Sequence, residues 1–292
     1  MTSQVTIKNC TSKGELLEAT FLPHKGMNLV SFKKGDIEVI DQSTYKSFKE
    51  NYCGLGALIG PHFLHRNPKV IPSSNDETLF PHIASLKKEG LQDPFYHGIA
   101  RYSQWKAEAS ETEIKGSLTG KDELHGVPLK LLEGQDFKIT FDAEMTKENL
   151  SITISVVSDT ASLMGLDYHY ALSKGKGIVT ADTLESYEEE GVTKQIPSTW
   201  DYKNQHIHYD LNHSANFHFF PFLNPLSGNI LLQTENYQLR TIYNCVNEEN
   251  CWRLFHPPGN SYVCISPMSA KNPQKPQLTV SFLKVKLEIL SP

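Results

Sequence analysis

Along much of this chain apolar and polar residues alternate one by one. Phe137, Ile139, Phe141, Ala143 and Met145 share one parity, with Lys138, Thr140, Asp142 and Glu144 between them. Successive side chains of a strand point to opposite faces, so the run predicts a strand with one buried side. After a turn at Lys147, Glu148 and Asn149, the residues Leu150, Ile152, Ile154 and Val156 repeat the pattern, and the two runs predict an antiparallel hairpin. Further strands are predicted at 15–21, 29–33, 37–41, 177–181, 228–234 and 237–243. Near the end Leu278, Val280 and Phe282 alternate, then the phase passes to Leu283, Val285, Leu287 and Ile289. One extra residue at that flip predicts a β-bulge. Candidate helices are few and short, and the acidic run 182–190 has no apolar stripe that a helix would bury. The fold class predicted is all-β and antiparallel.

The chain has 292 residues, and all-β sandwiches or barrels of this size form one domain, so a single domain over 1–292 is expected. No linker divides it. The stretch 61–94 is too rich in Pro, His and Ser to be regular, and a loop of that length in a compact domain lines a site. A formal charge of -5, with 28 basic against 33 acidic residues and no basic block, argues against nucleic acid or anionic lipid as partner. No run of roughly 18 apolar residues is present to span a bilayer, and residues 1–8 lack the basic-then-apolar pattern of a secretion signal. The five cysteines, Cys10, Cys53, Cys245, Cys251 and Cys264, form no C-x-x-C pair. Their odd number predicts reduced thiols and a cytoplasmic location. No G-x-x-x-x-G-K-[ST] cradle and no G-x-G-x-x-G opening a helix is present, and no cofactor is expected.

The chemistry concentrates in a few segments. Phe95-Tyr96-His97-Gly98-Ile99-Ala100-Arg101, followed by Trp105, puts an imidazole, a guanidinium and an indole in one run split by a glycine. A sugar site needs such groups: hydrogen-bond donors, a fixed fork of N–H groups, and an apolar plate for C–H faces. A turn-capping His97, a surface-paired Arg101 and a core Trp105 would explain the same residues. His62 and His65 stand at i, i+3 without a third ligand at a convincing spacing, so no metal is expected. Arg66 beside them suits a clamp on hydroxyls or a phosphate, or a surface ion pair. In Leu166-Asp167-Tyr168-His169-Tyr170, a strand would put Asp167 and His169 on one face and both tyrosines on the other. A carboxylate beside a histidine raises its pKa and suits it to general acid work; a buried polar pair serving only the fold is the other reading. The apolar strand at 262–265 is predicted to stop at Ser266-Pro267, since proline removes a ladder donor. His206, His208 and Asp210 share one strand face, with Asp210 either in the site or at a solvated strand end.

In order and content these segments resemble the aldose 1-epimerase, galactose mutarotase-like superfamily, over most of the chain. Pro23 to Phe32 is similar to its P-x-x-G-A-x-L-x-S strand, and Gly60-Pro61 through Arg66 to its G-P-to-arginine segment. His97-Gly98-Ile99-Ala100-Arg101 with Trp105 is close to its H-G-F-A-R…W element, the most specific match. Leu166 to Leu172 resembles H-x-Y-F, and Val263 to Asn272 resembles V-C-x-E-P-M-[ST]-A-x-x-N. The resemblance implies one large antiparallel supersandwich. It also implies a small-molecule partner, a sugar or sugar phosphate, whose anomers are interconverted by acid/base ring opening. His97, His169 and Asp167 are the implied catalytic groups: His97 binds near the ring and His169 is the acid. Arg66, Arg101, Asp210, Ser266 and Trp105 are the implied substrate contacts. Two departures stand out. His169 and Tyr170 are adjacent, so a gapless alignment puts Asp167 in the acid's place. The family's glutamate base is Ser266 here, and an unassisted hydroxyl is too weakly basic at neutral pH to replace it. Either Asp167, Asp210 or His97 takes over as base, or the cleft binds sugar without efficient turnover. A partner-binding sandwich with no cleft at these residues is the third class.

Overall fold

The computed structural model describes residues 4–64, 76–257, 259–271 and 278–292. The expectations for His65, Arg66 and Asn272 lie outside these residues. The hairpin read from alternation is present: Phe137–Met145 pairs antiparallel with Leu150–Ser158, from Phe137 opposite Ser158 to Met145 opposite Leu150. Its five alternate apolar residues from Phe137 to Met145 are all buried, each such large side chain contributing about 1.5–3 kcal/mol. On the hairpin's far side follow Val280–Leu290, Gln238–Cys245 and Ser227–Gln233, each paired antiparallel to the one before.

A second layer runs neighbour to neighbour through Val5–Cys10, Leu16–Leu22, Asn28–Lys34, Gly56–Ile59, Gly165–Ala171, Tyr262–Met268, Cys251–His256 and Ala215–Pro221. The strand Ile178–Glu189 joins the layers. Its first residues pair with Ser227–Gln233 and His206–Asp210, and its later ones with Ala215–Pro221, past a register shift after Thr183. The acidic run 182–190 is therefore mostly strand, with Thr183 and Tyr187 turned inward. Among the described residues twenty strands form one connected sheet folded into two faces, and the faces meet where Phe21 and Phe141 lie edge to face at 5.6 Å. This is the antiparallel β-sandwich that the alternation predicts. Among the described residues three short α-helices, Tyr45–Asn51, His82–Lys88 and Leu129–Glu133, sit in the connections.

The C-terminal bulge does not form. Val280–Leu290 keeps one register against Leu150–Ser158, with Phe282 opposite Ser155 and Leu283 opposite Ile154. Its inward phase begins at Ser281, which is 1 % exposed and donates from Oγ to the Ser162 carbonyl at 2.8 Å, while Val280 stays 52 % exposed. A satisfied hydroxyl occupies the core position that apolar alternation assigned elsewhere. The 37–41 strand shortens to Ile37–Glu38 with a single bridge from Ile40 to Tyr170. All five cysteines are free thiols. Among the described residues no helix is long and apolar enough to cross a membrane.

Candidate functional site

The strand Gly165–Ala171 carries the centre of the site. Tyr168 and Tyr170 face the core, 6.4 Å apart edge to face, and Asp167 and His169 face a cleft of about 370 Å³. That volume falls within the ~300–1,000 Å³ common for small-molecule sites. Tyr96, His97, Arg253, Tyr262, Cys53 and Cys264 line the same cleft. The neighbouring strand Tyr262–Met268 does not stop at Ser266, as the proline rule predicts; it runs on to Met268, with Pro267 opposite Trp252. On the other side its ladder pairs Tyr168 with Ile265 and Gly165 with Met268 and skips the residues between. The missing N–H of Pro267 thus falls at a gap in the ladder rather than breaking the strand, and Asp167 sits at that gap.

Asp167 is held by Arg101. From the turn Ile99–Tyr102, Arg101 donates Nη2 to Asp167 Oδ2 at 3.1 Å and Nε to the Leu58 carbonyl at 2.9 Å. Both side chains are buried. Burial by itself pushes the Asp167 carboxyl up, but Arg101, with His97, His169 and Arg253 behind it, holds it well below the usual carboxylate range. Ser266 is fully buried and donates to Asp167 Oδ1 at 3.5 Å. The site's most suggestive carboxylate is therefore an ion-paired anion and a weak base.

His97 has φ +68°, a left-handed conformation uncommon for a side-chain-bearing residue. Its ring stacks on Phe63 at 4.3 Å, and its carbonyl accepts from Gly60 N–H at 2.9 Å. Gly98, at φ +92°, follows because only glycine fits there: a Cβ would lie 2.0 Å from the Gly60 oxygen. Gly98→Ala is expected to cost more than about 2 kcal/mol; urea unfolding checks it, and an unchanged midpoint would show that the turn relaxes. His169 stacks on Tyr262 at 4.5 Å. Nδ1 of both imidazoles is buried without a hydrogen-bond partner.

The charge state of His169 differs from expectation. Burial lowers its pKa more than Asp167 raises it, with Arg101 adding to the lowering, so the ring is neutral at neutral pH. Burial and then Arg101 push His97 lower still. Burial likewise brings His82 and His218 down to about 4. Unfolded histidines titrate near ~6.5, so between these values the unfolded chain binds more protons and stability rises with pH. The stabilisation is complete above pH ~6.5 and falls towards pH ~4, at a slope of up to about 1.4 kcal/mol per pH for each such group. Urea midpoints across that window should decline on acidification; a flat profile overturns the reading.

The other predicted residues separate. Trp105 belongs to the core: Nε1 donates to the Ala100 carbonyl at 3.0 Å and the ring packs edge to face on Phe141, so it is a support beneath the turn and not part of the cleft lining. Asp210 is exposed at the end of His206–Asp210 and accepts from Asn212 N–H at 2.8 Å, a strand-end turn away from the cleft lining. His62 binds carboxylates, with Nδ1 2.5 Å from Glu133 and Nε2 3.1 Å from Asp93. Sequence reasoning missed Arg253, which lies opposite Ser266 and over the Phe255 ring at 4.6 Å. Its only signal was a cation in the apolar run Cys-Trp-Arg-Leu-Phe. It also missed Cys264, whose sulfur lies with one ligand atom each of Asp167 and His169 in a group all within 4.8 Å of one another. A cleft does stand where the polar groups converge, against the partner-binding class. Neutral imidazoles, fixed guanidinium donors and aromatic faces can bind a polyhydroxylated ring and accept its protons.

No family model and no curated protein matches the chain. Solved structures do. The Slr1438 protein from Synechocystis sp. PCC 6803 superposes with TM-score 0.68 at 13% identity, over 99% of this chain and 96% of that one. A galactose mutarotase-like protein from Lactobacillus casei ATCC 334 gives TM-score 0.66 at 11% identity, over 98% and 99%. A galactose mutarotase related enzyme from Lactobacillus acidophilus gives 0.61 at 13%, over 99% and 97%. At such identities the likeness is one of architecture, and at that level the motif order and the coordinates agree: the chain has the galactose mutarotase-like fold.

Proposed function

We propose that residues 1–292 form one domain whose cleft binds an aldose or hexose phosphate and interconverts its α and β anomers, with the chain's own imidazoles standing in for the glutamate that Ser266 replaces. The observation that carries this reading is the pair His97 and His169, two neutral buried rings with free Nδ1 atoms, lining one cleft with Asp167 and Arg253. In this scheme His169 accepts the proton of the C1 hydroxyl, the C1–O5 bond breaks as the aldehyde forms, and the imidazolium returns the proton to O5. Rotation about C1–C2 and the reverse transfer close either anomer. The negative charge of Asp167 favours the transient imidazolium, and Tyr262 stacked on His169 fixes the ring's plane. Five free thiols suit a reducing cytoplasm.

A second reading, sugar binding without turnover, is favoured by one observation: Asp167 is tied both to Ser266 and to Arg101, leaving no free carboxylate at the Ser266 position. Polarimetry or NMR of anomer equilibration over a panel of aldoses and hexose phosphates separates the two. Equilibration above the buffer rate, lost in His169→Ala, supports the first. Buffer-level rates alongside measurable sugar binding leave the second. Absence of binding to every sugar in the panel removes both.

A further inference from the structure

We propose that the floor of the cleft is a divalent-metal site, built from the carboxylate of Asp167, the imidazole of His169 and the thiol of Cys264, and suited to zinc. One ligand atom of each residue lies within 4.8 Å of the other two, and all three residues are buried and line the cleft. The register makes this meeting a property of the fold. His169 and Cys264 are direct cross-strand partners, and Asp167 stands two residues along the same face. Facing partners in an antiparallel pair bring their Cβ atoms to ~4.5–5.5 Å, near enough for short side chains to share an ion.

The donors are free to do so. Nδ1 of His169, a residue only 8 % exposed, has no hydrogen-bond partner. Arg101 takes Oδ2 of Asp167, and Oδ1 accepts a 3.5 Å hydrogen bond from Ser266 and keeps a second lone pair for an ion. An outer partner of that kind orients a ligating carboxylate rather than competing with the ion. A sulfur, a nitrogen and an oxygen form the mixed, borderline-soft set that zinc accepts at ~2.0–2.3 Å, whereas calcium and magnesium take oxygen alone. Three protein ligands leave a fourth tetrahedral position for water or another ligand. As the ion binds, the Cys264 S–H proton leaves to solvent and a sulfur lone pair forms the bond. The thiolate and the carboxylate then match the ion's two positive charges.

A zinc-bound His169 cannot also take the C1 hydroxyl proton, so the metal-loaded cleft and the proton relay proposed above are alternative states of one site, and the probe here is the metal alone. Chelator-stripped full-length protein, kept reduced with a phosphine, would be titrated with Co²⁺. The expected result is saturation at one cobalt per chain with a thiolate-to-cobalt charge-transfer band, bleached by stoichiometric Zn²⁺. Cys264→Ser should remove the band and weaken zinc binding by at least roughly tenfold, while Cys10→Ser, at an exposed thiol, should change nothing. A folded wild-type protein without the band at saturating cobalt overturns the proposal, as does a band that survives Cys264→Ser. Should Cys264→Ser not fold, His169→Ala decides: loss of the spectrum supports the site and an unchanged spectrum overturns it.

Discussion

Replacing Asp167 with alanine is expected to lower the free energy of unfolding by about 3–5 kcal/mol, the cost of leaving a buried guanidinium without its counter-charge. Arg101 is 1 % exposed and its ion pair with Asp167 lies at 3.1 Å, so water cannot replace the carboxylate. Arg101 and the neighbouring cationic groups, outweighing burial, fix the sign of the pH dependence. The carboxyl's folded pKa is depressed below its unfolded value, so the stabilisation is whole above pH ~4 and is lost as the pH falls through the folded value, below the usual carboxylate range. Urea unfolding of the wild type and Asp167→Ala at neutral pH tests the magnitude. A difference under about 1 kcal/mol, the range of exposed pairs, would show that the pair is hydrated.

Ser266→Glu is expected to raise the rate of anomer interconversion on the order of 10²- to 10⁴-fold, the usual worth of a general base. The strand register supports the substitution, because Arg253 faces position 266 across the ladder and offers the new carboxylate a counter-charge. The neighbouring Asp167 opposes it, so the variant's stability should be measured beside its rate. Polarimetry of the substituted and parent proteins on the same sugar gives the comparison. No gain from a folded variant would mean that the cleft has changed in more than one group, and the reading of binding without turnover would stand.

The strands were legible where alternation reported burial directly, as in Phe137–Met145 and Leu150–Ser158. Alternation failed where a polar side chain is satisfied inside. Ser281 holds a core position through its bond to the Ser162 carbonyl, so the inward phase could not be read from hydrophobicity. Pro267 misled for a local reason: a rule about lost ladder donors cannot tell on which side of a strand the ladder is already open. In the site, Asp167 and His169 were placed together by strand parity and His97 by its motif, and all three line one cleft. For Trp105 the sequence left a core and a site reading open, because an indole satisfied by the Ala100 carbonyl resembles, in sequence, an indole waiting for a ligand. Arg253 and Cys264 were invisible because their partners are distant in the chain and only the strand register brings them together. The neutrality of His169 was equally hidden: the neighbouring carboxylate is apparent from sequence, while the burial that outweighs it is not.

Arg101 is tethered at both ends of its guanidinium, to the Leu58 carbonyl through Nε and to Asp167 through Nη2. That double anchor ties the turn Ile99–Tyr102, two residues past His97, to two strands and restrains one wall of the recess. A wall restrained in this way favours discrimination by fit over adaptability.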